Sequence, residues 1–227
     1  MKEQFTATAV TDEYGKLYFD VSYNDPSGSI IEKRLSSEDF TDLIEGSVRK
    51  QEVFRVIPRL PEEVVWAAIG SAPDTFQAIL VVPESVRPVY YMGQILENIP
   101  FPRLCMHVQV TAGHRMDSNL YALDGKAGGN AELLWYPYGN CTASTGRTCF
   151  GNIVVDNIKG PEESRKVLEA FLEGATNGDL WNGFGGFKSQ ADLYEAVKGK
   201  KKFPIKKLPK LGITLDDLIR ECKKNIA

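Results

Sequence analysis

The chain has 227 residues, a formal net charge of −3, 43% hydrophobic residues and 25% charged residues. That balance belongs to a globular protein able to bury a substantial core, and it excludes wholesale disorder. The slightly acidic total gives no global basic field, so nucleic acid is not expected as a partner.

In chain order, Phe5 to Val10 and Leu17 to Tyr23 alternate loosely with polar residues, as half-buried strands do. Glu13-Tyr14-Gly15 between them suggests a hairpin turn. Asn24 to Gly28 is a second turn, after which Ile30 to Leu35 pairs back. Ser36-Ser37-Glu38-Asp39 reads as a helix start, followed by Phe40, Leu43, Ile44 and Val48 at helical spacing. The middle is strand-rich: Val64 to Ile69, Gln77 to Val82, Val86 to Met92, Leu104 to Val110, Asn119 to Leu123 and Glu132 to Tyr136. Short turns between them predict an antiparallel meander. Gly125 to Asn130 is a loop by composition. Helices are predicted over Pro161 to Glu173, Ala191 to Val197 and Thr214 to about Lys224, with a glycine and aromatic loop from Trp181 to Phe187. Lys198 to Lys210 holds seven lysines and no acid, a solvated face or a docking patch for an acidic partner.

The resulting expectation is an α+β protein. Residues 1–60 form a β-rich N-terminal extension, 61–187 an antiparallel core with flanking helices, and 188–227 a basic helical C-terminal tail. The start of the chain has no basic-then-apolar leader, and the longest apolar runs, such as Ala78 to Pro83, are too short to cross a bilayer. A cytoplasmic protein without membrane contact is expected.

The four cysteines are Cys105, Cys141, Cys149 and Cys222, and no two form a Cys-x-x-Cys pair. No metal site is expected, and no cofactor. In a reducing compartment a Cys141–Cys149 disulfide is disfavoured. From the thiol alone, Cys149 would be a small buried hydrophobe, like most free cysteines.

Its neighbourhood says more. Leu134 to Asn140 is a strand ending in aromatic and proline residues. A loop of small polar residues, Thr142 to Thr145, follows, then Gly146 and Cys149. Long loops that present one nucleophile on a strand-rich scaffold commonly carry function. A cysteine that accepts an acyl group needs an accessible thiolate and hydrogen-bond donors for the oxyanion. The Asn140 amide offers two N–H donors without titrating, or holds a turn through its side chain. Gly146 lets the loop fold back towards the cysteine. Tyr138 is expected to support the loop by packing. Asp156 and Asp179 are candidates for attracting or orienting a lysine cation. The histidines, His107 and His114, both precede Cys149, so a papain-like order cannot be built.

This segment resembles the ubiquitin-conjugating enzymes, in which an Asn-ending motif closes the meander and a Gly-x-x-Cys follows. Asn140 and Gly146-Arg147-Thr148-Cys149 carry that pattern. The similarity is greatest to the bacterial family D of this superfamily, which includes the B proteins of the PRTRC system. There an aromatic-Pro-Tyr-x-Asn stretch and a Gly-x-x-Cys-x-Gly resemble Tyr136 to Asn140 and Gly146 to Gly151. Arg87 to Tyr91, Pro100 to Leu104 and Asn119 to Leu123 resemble further strands, so the likeness covers about residues 60 to 185. It implies a ubiquitin-conjugating-like fold. It also implies that a ubiquitin-like protein, received from a ThiF-type activating enzyme, is held as a thioester on Cys149 and passed to an amine. Asn140 would take the oxyanion or loop-ordering role, and a JAB-type peptidase would belong to the same system. Two other readings stand beside it: a non-catalytic module that docks a ubiquitin-like protein, and a cysteine hydrolase of its conjugates using His114.

Overall fold

The computed structural model describes residues 5–24, 30–41, 59–70, 72, 74–113, 115–125 and 128–224. The chain divides into two compact units, Met1–Val56 and Ile57–Ala227.

In the first unit, β1 (Phe5–Thr11), β2 (Leu17–Asn24) and β3 (Ile30–Ser36) form an antiparallel sheet in sequence order. The Asp12 carboxylate accepts the N–H groups of Tyr14 and Lys16 and closes the first turn. Helix α1 (residues 37–41) begins as expected, with the Ser36 hydroxyl accepting the Asp39 N–H. Phe40 stacks on Phe19 with ring centroids 4.1 Å apart. The expected helix positions Leu43, Ile44 and Val48, and most of the Asn24–Gly28 turn, lie outside the described residues.

The second unit is built on a six-stranded antiparallel sheet curled into a half-barrel. Its strands in chain order are β4 (Val64–Ile69), β5 (Phe76–Val82), then, after a hairpin of β6 (Ser85–Tyr91) and β7 (Gln94–Phe101), β8 (Leu104–Thr111), β9 (Arg115–Leu123), β10 (Glu132–Trp135) and β11 (Lys210–Thr214). The spatial order is β11-β10-β9-β8-β5-β4. The expected meander is therefore interrupted. β5 pairs with β8, and β6 and β7 leave the sheet as a separate ribbon. Sequence reading missed β7 because Glu97, Asn98 (φ +59°) and Pro100 break its apolar alternation; its buried residues cluster at Ile99–Phe101.

β5 is almost wholly apolar because both its faces are covered. On β8, Leu104, Met106, Val108 and Val110 enter the larger core with Leu80, Leu120 and Ala122. Cys105 points the other way, to a smaller core with Ile79, Tyr121, Leu123 and Leu133. The larger core also takes in side chains from the hairpin, α2 (Ser164–Glu173) and α3 (Gln190–Val197). The smaller core is covered by α4 (Leu215–Lys224) through Leu215, Leu218, Ile219 and Cys222. Arg87 on β6 donates to Glu169 on α2 at 2.8 Å, and Arg165 bridges Glu169 and Glu63.

Residues 188–224, expected as most of a basic helical tail, are instead built into this unit. Leu193, Tyr194, Val197, Phe203 and Leu208 lie in its main core, and Lys210–Thr214 is the edge strand β11, paired with β10. The physical reason is the spacing of buried apolar residues between the lysines, which the charge run masks in sequence.

Candidate functional site

The loop between β10 and α2 starts from an aromatic anchor. Tyr138 is fully buried; its hydroxyl donates to the Pro100 carbonyl at 2.6 Å and its ring stacks on Tyr194 at 5.0 Å. Tyr138 therefore supports the loop from the core and presents nothing to solvent.

Asn140 follows with φ +60°, the left-handed conformation that Asn tolerates better than most residues. Its N–H donates to the Asp179 carbonyl at 2.9 Å. Its side-chain Nδ2 donates to the Ala175 carbonyl at 2.8 Å. Its own carbonyl accepts the N–H of Cys149 at 2.7 Å. One residue thus ties together the start of the loop, the cysteine and the 175–179 segment. Of the two amide N–H groups considered for an oxyanion, one is used in ordering the loop.

Residues 141–148 fold into a tight hairpin. Thr142 N–H donates to Arg147 O at 2.8 Å, Gly146 N–H donates to Thr142 O at 2.7 Å, and Cys141 bridges Thr148. Gly146 has φ +70°, and a Cβ there would collide with the Tyr121 ring, 2.3 Å from its Cε1. The returning arm then docks on β9. Leu120 N–H donates to Gly146 O and Thr148 N–H to Ser118 O, while Arg147 bridges Asn119. β10 leaves β9 after the Trp135–Tyr121 pair, so the hairpin takes over the same edge of β9 where β10 ends. The Tyr121 hydroxyl and Asn119 Nδ2 both donate to the Thr145 carbonyl, at 2.9 and 3.0 Å. The hydroxyls of Ser118 and Thr148 lie 2.5 Å apart.

Cys149 emerges at the end of this arm. It is exposed, whereas Cys105, Cys141 and Cys222 are buried. Cys141 Sγ donates to Gly146 O at 3.1 Å, and burial pushes its thiol up to about 12. Cys149 lines a cleft of about 460 Å³. Its lining includes the apolar side chains of Met116, Phe150, Ile153 and Val155 and the charged ones of Asp117, Arg147 and Asp156. Phe150 is fixed edge-on against Phe171 of α2.

The structure places Asn140 and Gly146 in the hairpin that leads to Cys149, and Asp156 on the lining of the same cleft as Cys149. Asp156 is exposed on the wall of the Cys149 cleft. Asp179 contributes through its backbone carbonyl, while its carboxylate accepts Asn177 Nδ2 at 2.7 Å. Ser118, Tyr121, Thr148 and Ala175 take part without any local sequence signal; only strand register and loop return bring them in. His107 lies on the sheet face shared with Cys105, 3.2 Å from Gln77, and burial lowers its pKa. His114 is outside the described residues. Among the described residues, no group of three or more His, Cys, Asp or Glu could hold a metal ion, and no helix is long and apolar enough to cross a membrane.

Compared with protein-family models, curated proteins and solved structures, the chain matches none.

Proposed function

We propose that this protein carries a ubiquitin-like protein as a thioester on Cys149 and transfers it to an amine. The observation that carries the reading is the contrast among the thiols: Cys149 alone is exposed, and its N–H is held by Asn140 at the rim of a cleft. A thiol kept for packing has no need of a dedicated hairpin, a steric glycine and a three-way Asn clamp. The reading is supported by the order of elements around the cysteine: an antiparallel sheet, then an extended loop bearing Cys149, then helix α2.

In the chemistry proposed, the Cys149 thiolate attacks the thioester carbonyl presented by a ThiF-type activating enzyme. The activating enzyme's thiolate leaves, and the C–S bond to Cys149 is formed. An amine then attacks the same carbonyl carbon, an amide forms, Cys149 leaves as thiolate and the amine's proton passes to solvent. Asn140 holds the loop in register for both steps. Asp156, on the lining of the same cleft, suits the approach of a lysine cation whose stem lies on Met116, Ile153 and Val155. The chain itself needs no cofactor for this exchange, and a JAB-type peptidase would reverse its product.

The test is a charging assay with the activating enzyme, the ubiquitin-like protein, ATP and magnesium, read on non-reducing gels. A thiol-sensitive adduct that is lost in Cys149→Ala, kept in Cys141→Ala and converted to a thiol-resistant oxyester in Cys149→Ser supports the reading. A charged activating enzyme with no adduct on this chain overturns it, and assigns the site to docking of the ubiquitin-like protein without catalysis.

A further inference from the structure

We infer that the lysine segment between α3 and β11 is a preformed docking surface for an acidic protein segment that carries one apolar side chain. This surface is separate from the Cys149 site and does not depend on the thioester reading.

Lys198, Lys200, Lys201, Lys202, Lys206, Lys207 and Lys210 are all exposed, with no acid among them in sequence. Lys202 pairs with Glu84, Lys210 pairs with Glu132, and Lys207 sits over the Phe187 ring. Lys198, Lys200, Lys201 and Lys206 form no ion pair among the described residues. In a chain of net charge −3 this short segment concentrates unneutralised positive charge.

The patch is held rigidly. Val197, Phe203 and Leu208 are buried between the lysines, and Gly199 N–H donates to Asn98 O across to the hairpin. The 3-10 turn at Ile205–Lys207 closes with Leu208 N–H donating to Ile205 O. A partner therefore needs to order only the lysine side chains, not the backbone, which lowers the entropic cost of binding.

One of these lysines, Lys202, lines a notch of about 250 Å³. Pro102, Phe203 and Ile205 are among its apolar lining residues, and Arg103 and Lys202 also line it. Such a notch accepts one apolar side chain, with flanking carboxylates reaching the lysines. Glu84 and Asp124 also line it. Glu84 is neutralised by Lys202, but Asp124 repels an unbroken polyanion such as a nucleic-acid backbone, whereas a peptide with its apolar residue at that point avoids it. The notch lies at the Leu123 end of β9, and the Cys149 cleft lies at its Met116–Ser118 end. At about 3.3 Å per residue these are roughly 17 Å or more apart along the strand, so a docked segment leaves the thiol free.

The experiment uses a fluorescent short peptide of glutamates and aspartates around one central leucine, followed by anisotropy with the full chain. Binding that weakens with added salt, and falls about tenfold or more when Lys200→Glu, Lys201→Glu and Lys206→Glu are combined, supports the inference. Replacing the peptide's leucine by serine should weaken binding several-fold. Lys223→Glu, a charge reversal on α4, should not change it. Circular dichroism checks that the variants fold, and Cys149 labelling in the triple variant should match wild type. No binding of the peptide, or equal binding by the triple variant, overturns the inference. So does tighter binding of single-stranded DNA or of phosphatidylserine vesicles, which would make this a general polyanion surface.

Discussion

The backbone N–H of Cys149 donates to the carbonyl of Asn140 at 2.7 Å, so the residues closing the two ends of the site hairpin are bonded directly to each other. The position of the thiol is thus set by Asn140, whose own place is set by Ala175 and Asp179.

Asn140 is the first place to test that dependence. Asn140→Ala loses the bond to Ala175 and puts a Cβ-bearing residue without a local hydrogen bond at φ +60°. A loss of about 2 kcal/mol is expected from the bond and the left-handed strain together. Asn140→Gly loses the bond without the strain and should cost about 1 kcal/mol. Urea denaturation of both variants measures the difference; equal costs would mean that the backbone conformation is unimportant.

Gly146→Ala should cost about 2–4 kcal/mol, from left-handed strain and from collision with the Tyr121 ring. The same variant should slow any reaction at Cys149, because the hairpin carrying it is displaced. A denaturation midpoint equal to wild type would show that the close approach to Tyr121 is absent.

Thiol labelling of the native protein should stop at one equivalent, on Cys149, while the denatured chain takes up all four. Mass spectrometry of maleimide-treated wild type and Cys149→Ser measures this directly. Rapid native labelling of Cys141 would contradict its burial against Gly146.

Stability should decline at alkaline pH. Burial pushes Cys105 and Cys141 up to about 12 and Cys222 to about 11, from an ordinary 9.0. The folded protein keeps these protons after the unfolded chain has begun to release them, so stability is full below pH 9 and falls as pH rises towards 11 and 12. Urea midpoints at pH 8 and 10.5 give the slope, and Cys141→Ala should be less sensitive than wild type.

Glu169 should show the opposite dependence. Burial would raise its carboxyl, but the hydrogen bonds from Arg87 and Arg165 outweigh burial and hold it below its ordinary 4.5. Its contribution is therefore full above pH 4.5 and lost as pH falls below it. Glu169→Ala leaves Arg87 half-buried without its partner and should cost about 1–3 kcal/mol at neutral pH. The gap from wild type should narrow in acid.

Much of the fold was legible in sequence because local patterns set it. The alternation of β8, the Ser36 helix start and the pairing of strands across short turns all follow from period and turn chemistry. β7 and β11 were not legible, since Pro100 breaks one and lysines and prolines disguise the other. Cys149, Asn140 and Gly146 could be singled out because their spacing is itself a signal.

The amino-acid sequence alone determined which side chains are available to the site: one cysteine after a glycine turn, one asparagine before it, and a lysine run with no acid. Only the tertiary structure decided that Cys149 is exposed while Cys141 is buried, and that the Asn140 amide faces Ala175. It also decided that the lysine run is anchored in the core. Those outcomes depend on which edge of β9 the hairpin joins and on what the 175–179 segment packs against. Such contacts form between residues far apart in the chain, where no local period reports them.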